Sequence, residues 1–282
     1  MVQSINRHRP PDAVQRQLDL ARAIADQQTA IASGKKLHRP SDNVQDWLEV
    51  SGIARQQAGA GAWLANLGRA ETRAAQAENA LDAVAGGIVR GKELVIQASA
   101  GSLNEGDRAG IAAELEGILA TMSTLLDLDD PYGGKLFAPV ALAIPVGRVE
   151  TLVAAPSRLE VLGTVADGAG GSASIIDIVQ AAIAAVRSGT PGDRTQSLTA
   201  LDATLDHLAG LLTGQGIARN RINGAREQYA ESGSVLAERR SGLEDADIGE
   251  VITRLQTLDV SLEAAQAVHA RITQRSLLDF LR

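Results

Sequence analysis

The chain has 282 residues, 45% of them hydrophobic but 2% aromatic, with no cysteine and a formal charge of -7. A core built from Ala, Leu, Ile and Val suits thin helical bundles, where small side chains let helices approach closely, and points away from an enzyme with a deep pocket. Disulfides and thiolate metal sites are excluded, and the acidic balance offers no basic face for nucleic acid.

No run of roughly 18 apolar residues suggests membrane insertion, and the N-terminus lacks the apolar block of a cleaved signal peptide. A protein of this kind that leaves its cell needs another exporter. The polar start ends in Pro10-Pro11, which predicts a frayed beginning. From Asp12, the residues Val14, Leu18, Ala21, Ile24 and Ile31 trace one helix face, and Ser33-Gly34 stops it. Gly34 to Arg39 reads GKKLHR, a short basic stretch expected to be a solvated connector. Ser41-Asp42, with Gln45 three residues after the Asp, is the predicted cap of the next helix.

That helix should run from Val44 to Ala98, about 55 residues without a proline, or roughly 80 Å at 1.5 Å per residue. Its signature is the seven-residue ladder Ile53, Ala60, Leu67, Ala74, Leu81, Ile88 and Val95, shadowed by Trp63, Ala70, Ala77, Val84 and Ala98. Spacing that averages 3.5 residues asks for partner helices along one seam. Ile53, Leu67, Leu81, Ile88 and Val95 are therefore assigned to the core of a helical rod. A third helix, capped by Asn104 or Ser102, carries Ile111, Leu115, Ile118, Leu119, Met122 and Leu126.

Asp129-Asp130-Pro131-Tyr132-Gly133-Gly134 is turn chemistry, and Pro139 and Pro145 forbid a continuing helix. Val146 to Val165 contains strand-like stretches, such as Arg148 to Val153, and Asp167 to Gly171 reads as a glycine-rich linker. Ser174 and Asp177 cap a return to helix through Ile175, Ile178, Val179, Ile183 and Val186. A second long helix begins after Asp193, with Leu198, Leu201, Leu205, Leu208 and Leu212, and runs through Gly214 and Gly216 to a joint at Ser241-Gly242. In the last helix, from Asp247 to Leu281, a second seam alternates by three and four: Ile248, Val251, Leu255, Leu258, Leu262, Ala265 and Ile272.

The expected fold is mainly α: an elongated antiparallel helical bundle and coiled coil formed by the N- and C-terminal segments, with a small β-rich insert at its far end. Residues 1–42 with 243–282 form the terminal coil, 43–137 with 172–242 the helical rod, and 138–171 the insert. Val14, Leu18, Ile24 and Ile31, with the C-terminal seam residues, are the candidate assembly interface.

Four stretches carry a family resemblance: Ser33 to Asp42, Lys92 to Leu103, the Gly134-Lys135-Leu136-Phe137 turn, and Ser276 to Arg282. In this order they resemble the bacterial flagellin and hook-filament junction family over nearly the whole chain. The resemblance implies a structural subunit of the bacterial flagellum, secreted through the flagellar type III system, and polymerising through its terminal helices. It also implies neighbours among the flagellar axial proteins, including copies of itself, and an export chaperone. Arg39-Pro40-Ser41-Asp42 and Ser276 to Leu281 are nearer to the junction subunits, also called hook-associated protein 3, than to the filament flagellins, which are the alternative. A coiled-coil adaptor unrelated to motility is the second alternative.

Chemistry is sparse. His8, His38, His207 and His269 have no helical metal-site spacing, and Asp127, Asp129 and Asp130 lack the closing Glu of a calcium loop. There is no phosphate-binding loop, nucleophile elbow or dinucleotide fingerprint, so no cofactor is expected. Glu71, Glu78 and Lys92 line one flank of the long helix, as a solvated face or as a means of choosing a neighbouring subunit.

Overall fold

The computed structural model describes residues 10–101 and 103–280, with side chains described over 14–101 and 103–271. The first helix, α1, is Pro10–Ser33. It starts at the proline pair that was expected to precede it, because a first helical turn has no internal partner for a backbone N–H and proline already holds the required φ. Gly34, at φ +70°, turns the chain out of the helix, a conformation that costs a residue with a Cβ.

Helix α2 is Val44–Ala98, the span predicted. Its cap differs from the expectation. The Asn43 side-chain oxygen accepts from the backbone N–H groups of Gln45 and Asp46, while its amide donates to the Asp46 carboxylate at 2.7 Å. Asp42 instead binds back into the connector, so the Ser41-Asp42 cap is corrected by one residue. Helix α3, Glu105–Leu126, begins at Asn104 with a reciprocal capping box to Asp107. It is long and apolar enough to cross a membrane, yet its stripe Ile111, Leu115, Met122 and Leu126 is buried in a helical core.

The insert contains two hairpins and a short helix. Strands β1 (Ala143–Pro145) and β2 (Thr151–Val153) pair antiparallel with Ile144 opposite Leu152. Helix α4 is Arg158–Leu162, capped by Ser157. Strands β3 (Val165–Ala166) and β4 (Ser172–Ala173) form the second hairpin. The segment expected as a linker is thus the turn of that hairpin, where the Asp167 carboxylate accepts from the N–H groups of Ala169 and Gly171. Helices α5 (Ile175–Ser188), α6 (Pro191–Glu244) and α7 (Ile248–Phe280) complete the chain.

Two compact units result, Met1–Gln57 with Ser234–Arg282 and Ala58–Gly233, where three segments were expected. Helices α2 and α6 contribute residues to both. In the second unit, α2, α3, α5 and α6 share a core containing Leu81, Ile88, Val95, Leu115, Ile178, Leu201 and Leu208. Leu67 lies in a neighbouring cluster with Ala70, Ala74, Val146, Leu152, Ala154 and Ile222.

Those clusters explain why the insert is no separate body. Val146, Leu152 and Ala154 cover α2 around Leu67 and α6 around Ile222, while Val161 and Val165 join the larger core. The insert therefore packs along the helices of this unit. Burying each of its larger apolar side chains contributes about 1.5–3 kcal/mol, which a pendant loop would forgo.

A buried ion pair fastens the loop before the insert to α2. The guanidinium of Arg73 and the carboxylate of Asp130 are 4% and 6% exposed, and Arg73 also donates to the carbonyl of Lys135 at 2.8 Å. Asp130 accepts from the N–H of Tyr132, over whose ring Arg69 sits at 5.7 Å. Removing one member leaves the other charge buried alone. Arg73→Met should lower stability by about 3–5 kcal/mol in urea denaturation, and adding Asp130→Leu should recover part of that loss.

Candidate assembly site: the terminal helices and their connectors

In the first unit α1 packs along α7. The contact is thinner than a two-sided core. Ile24 and Ile31 on α1, with Val251, Leu255, Leu258, Leu262 and Ala265 on α7, are half-buried. Val14 and Leu18 are 46% and 48% exposed, and Ile248 is exposed as well. The side chain of Ile272 lies outside the described residues. Ile53 is buried in this unit with Ala30, Leu37 and Val50.

Helix α7 carries a second apolar stripe that the heptad reading missed. Ile252, Val260 and Val268, spaced by eight residues, are 42%, 66% and 57% exposed. At about 100° per residue the three are turned roughly 80° from one to the next, and all fall on the half of α7 turned away from the Val251, Leu255, Leu258, Leu262 and Ala265 seam, so one side of α7 meets α1 while the other presents apolar side chains to solvent. The eight-residue spacing was visible in the sequence, but the three-four alternation of the first seam masked it.

The basic connector is fastened rather than solvated. The N–H of Lys36 donates to the carbonyl of Glu244 at 2.7 Å and the N–H of Ala246 to the carbonyl of Gly34 at 2.9 Å. These two bonds flank a bridge between Lys35 and Asp245. Lys35 Nζ lies 2.9 Å from the Glu244 carboxylate, and Lys36 Nζ donates to the carbonyl of Gly242. Leu37, 6% exposed, is the apolar anchor between these polar ties. A lone leucine amid GKKLHR was the local signal for it.

Two carboxylates are tuned by this arrangement. Burial pushes Glu244 upward, but hydrogen bonds from Arg240 and Lys35 outweigh it and hold the group below its ordinary 4.5. The backbone N–H groups of His38 and then Arg39 hold Asp42 below its ordinary 3.8; each donates at 2.8 Å. His38 in turn meets the Ser33 hydroxyl at 2.7 Å through Nε2.

The remaining polar candidates have structural partners in the second unit. Arg219 bridges Glu71 and Glu78 at 3.1 Å and 2.7 Å, and Lys92 pairs with Asp202. This flank of α2 is therefore paired within the chain. Asp127 meets Arg158 and Asp129 meets Lys135. His207 Nε2 lies 3.0 Å from the carbonyl of Glu160 and packs where a Cβ on Gly163 would fall 2.7 Å from it. Among the described residues no group of three His, Cys, Asp or Glu side chains is placed to hold a metal.

The model of the bacterial flagellin N-terminal helical region matches residues 13–138, and that of the C-terminal helical region matches residues 198–281. The chain belongs to the bacterial flagellin family. It is a structural, non-enzymatic protein of the flagellar axis. No curated protein sequence matches the chain. Among solved structures, it is similar to one from Vibrio parahaemolyticus described as a flagellar hook-associated protein, with 18% identity and a TM-score of 0.66 over 72% of this chain and 100% of that one. It is also similar to hook-associated protein 3 from Legionella pneumophila, at 13% identity and a TM-score of 0.63 over 69% and 98%. The flagellar junction protein FlgL from the same organism gives 12% and 0.58 over 70% and 100%. At these identities the likeness is one of fold.

The connector's anchor can be tested directly. Leu37→Ala should cost the first unit about 2–5 kcal/mol, the range for emptying a buried leucine site, read as faster amide exchange at Lys36 and Ala246 with the amides of Leu81 and Leu208 unchanged. Asp42 adds a pH dependence. Because its folded value is lowered, its contribution is present above 3.8 and lost as pH falls through the lowered value. An Asp42→Asn variant should therefore show a flatter acid limb in thermal unfolding scans.

Proposed function

We propose that this flagellin-family protein is the junction subunit between hook and filament, joining its neighbours through the α1/α7 pair. The observation that carries this reading is the apolar surface of α7. Ile252, Val260 and Val268 remain exposed after α1 has taken the opposite seam. A single helix partner leaves that area in water, whereas neighbouring subunits would bury it at about 25 cal/mol per Å². Val14, Leu18, Ile24, Ile31, Ile248, Val251, Leu255, Leu258, Leu262, Ala265 and Ile272 are the proposed assembly residues, with Ile53, Leu67, Leu81, Ile88 and Val95 as the core that supports them.

Similarity in fold to hook-associated and junction proteins supports the junction reading over a filament subunit. The connector Arg39-Pro40-Ser41-Asp42 supports it from the sequence side. Secretion through the flagellar type III channel, with a chaperone covering the terminal helices before export, belongs to the same proposal. A helical fold without disulfides suits a chain that must unfold for passage and refold outside.

Immunogold labelling of intact cells tests the location. The expected result is a band at the base of the filament; label along its whole length makes the chain a filament flagellin. The seam is tested by Leu255→Asp and Leu262→Asp, each of which places a carboxylate where assembly would bury it without a partner, a cost of several kcal/mol. Each should abolish incorporation while the isolated chain keeps its helical circular dichroism. Normal incorporation of both would remove the seam from the interface.

Limited proteolysis of the isolated chain addresses the same division of labour. Cleavage should begin within residues 10–33 and 248–280, whose apolar faces are half-covered, and leave a resistant fragment close to 58–233. Assembly should protect both termini.

A further inference from the structure

We propose that the tie between the two connectors, residues 34–37 and 242–246, is an ionic latch that sets the register of α1 on α7. The inference rests on the proposed role of the terminal pair in assembly and adds how that pair is held in one alignment.

Register needs a device here because the helix contact specifies it weakly. The seam residues of α1 and α7 are half-buried or exposed, and in the ladder each apolar residue has a similar one three or four positions away. Sliding α1 by one turn would exchange one set of partly covered aliphatic contacts for another. The latch permits no such slide. Its backbone bonds, Lys36 N–H to Glu244 O and Ala246 N–H to Gly34 O, lie on both sides of the Lys35–Asp245 bridge. Only Gly34, with φ +70°, separates this bridge from the end of α1, and Asp247 alone separates Ala246 from the start of α7. Fixing the bridge fixes where α1 ends and α7 begins.

Glu244 is the side chain on which the latch closes. Its carboxylate is 12% exposed and receives Lys35 from the connector at 2.9 Å and Arg240 from its own helix at 3.1 Å. Arg240 also reaches the side-chain oxygen of Gln57 on α2. The charges acting on Glu244 are those of Arg240 and Lys35; the adjacent Asp245 carboxylate is held by the Ser241 hydroxyl. Neutralising Glu244 would leave two cations facing each other around a largely buried site. The latch would then open while the apolar seam remained, and α1 could slide.

The folded Glu244 group lies below its ordinary 4.5, so the latch is closed above that value and loosens as pH falls through the lowered one. A neutral isostere should reproduce this opening at any pH.

Two measurements on the full-length chain in its unassembled form test the latch. In Glu244→Gln at pH 7, hydrogen exchange at the amides of Lys36 and Ala246 should accelerate by about tenfold or more, with Leu81 and Leu208 unchanged. Spin labels at positions 24 and 258 should give one distance in the otherwise native chain at pH 7 and a broadened or split distribution in Glu244→Gln. Glu244→Asp, which keeps the charge, should restore much of the single distance. A single, native distance in Glu244→Gln would overturn the proposal even if its exchange accelerated, since the tie would then hold connectors without setting register. Both readouts precede assembly, so they stand or fall separately from the location of the protein in the flagellum.

Discussion

The mixture of alanine with larger aliphatic residues along one side of α2 is the constraint on which the second unit depends. Leu67, Ala74, Leu81, Ile88 and Val95, with Ala70, Ala77, Val84 and Ala98, have essentially no exposed surface. A core almost without aromatic rings reaches native packing density only if helices approach closely, and the run Ala70, Ala74 and Ala77 permits that approach. Gly87 marks the same tightness on the adjoining face, where a Cβ would fall 3.2 Å from Ile118. Where α2 lacks a packed helix on one side, around Leu67, the insert supplies Val146, Leu152 and Ala154. Its hairpin is thus a third wall of the bundle, and Gln215 ties wall to helix by donating to the carbonyls of Ala74 and Ala154.

The two units invert the balance of forces. The second buries many aliphatic side chains and uses a few enclosed polar ties, Arg73 with Asp130 above all, to fix the loop that leads to the insert. The first buries Ala30, Leu37, Val50 and Ile53, and its alignment falls to backbone bonds and one enclosed carboxylate. A weakly buried helix pair is a poor monomeric core but a good component of an assembly. In the proposed assembly, neighbours would add to its stability through mass action.

Local chemistry was legible where it acts over a few residues. The bounds of α2, the Asn104 cap of α3 and the Ser174 cap of α5 follow from proline-free periodicity and from side chains that bind backbone N–H groups within three residues. The Asn43 cap was displaced by one position because Ser41, Asp42 and Asn43 are all competent acceptors, and the connector's own N–H groups recruit Asp42. The β3–β4 hairpin was hidden by strands of two residues, too short for a period. Leu67, Leu81, Ile88 and Val95 could be placed in a core because burial follows heptad position.

Pairings between residues far apart in sequence left no such trace. Glu71 and Glu78 read as a flank because nothing in the local sequence announces Arg219, and Glu244 was one charge among many until Lys35 was brought beside it. The same reasoning separates the two seams of α7. The one facing α1 obeys the three-four alternation that two helices wound together impose, and is legible as such. The other, Ile252, Val260 and Val268, steps by multiples of four and drifts around the helix relative to the first. A stripe that drifts in this way cannot serve the same straight partner as the first seam. In the proposed assembly these side chains would meet neighbouring subunits on the face of α7 that α1 leaves open.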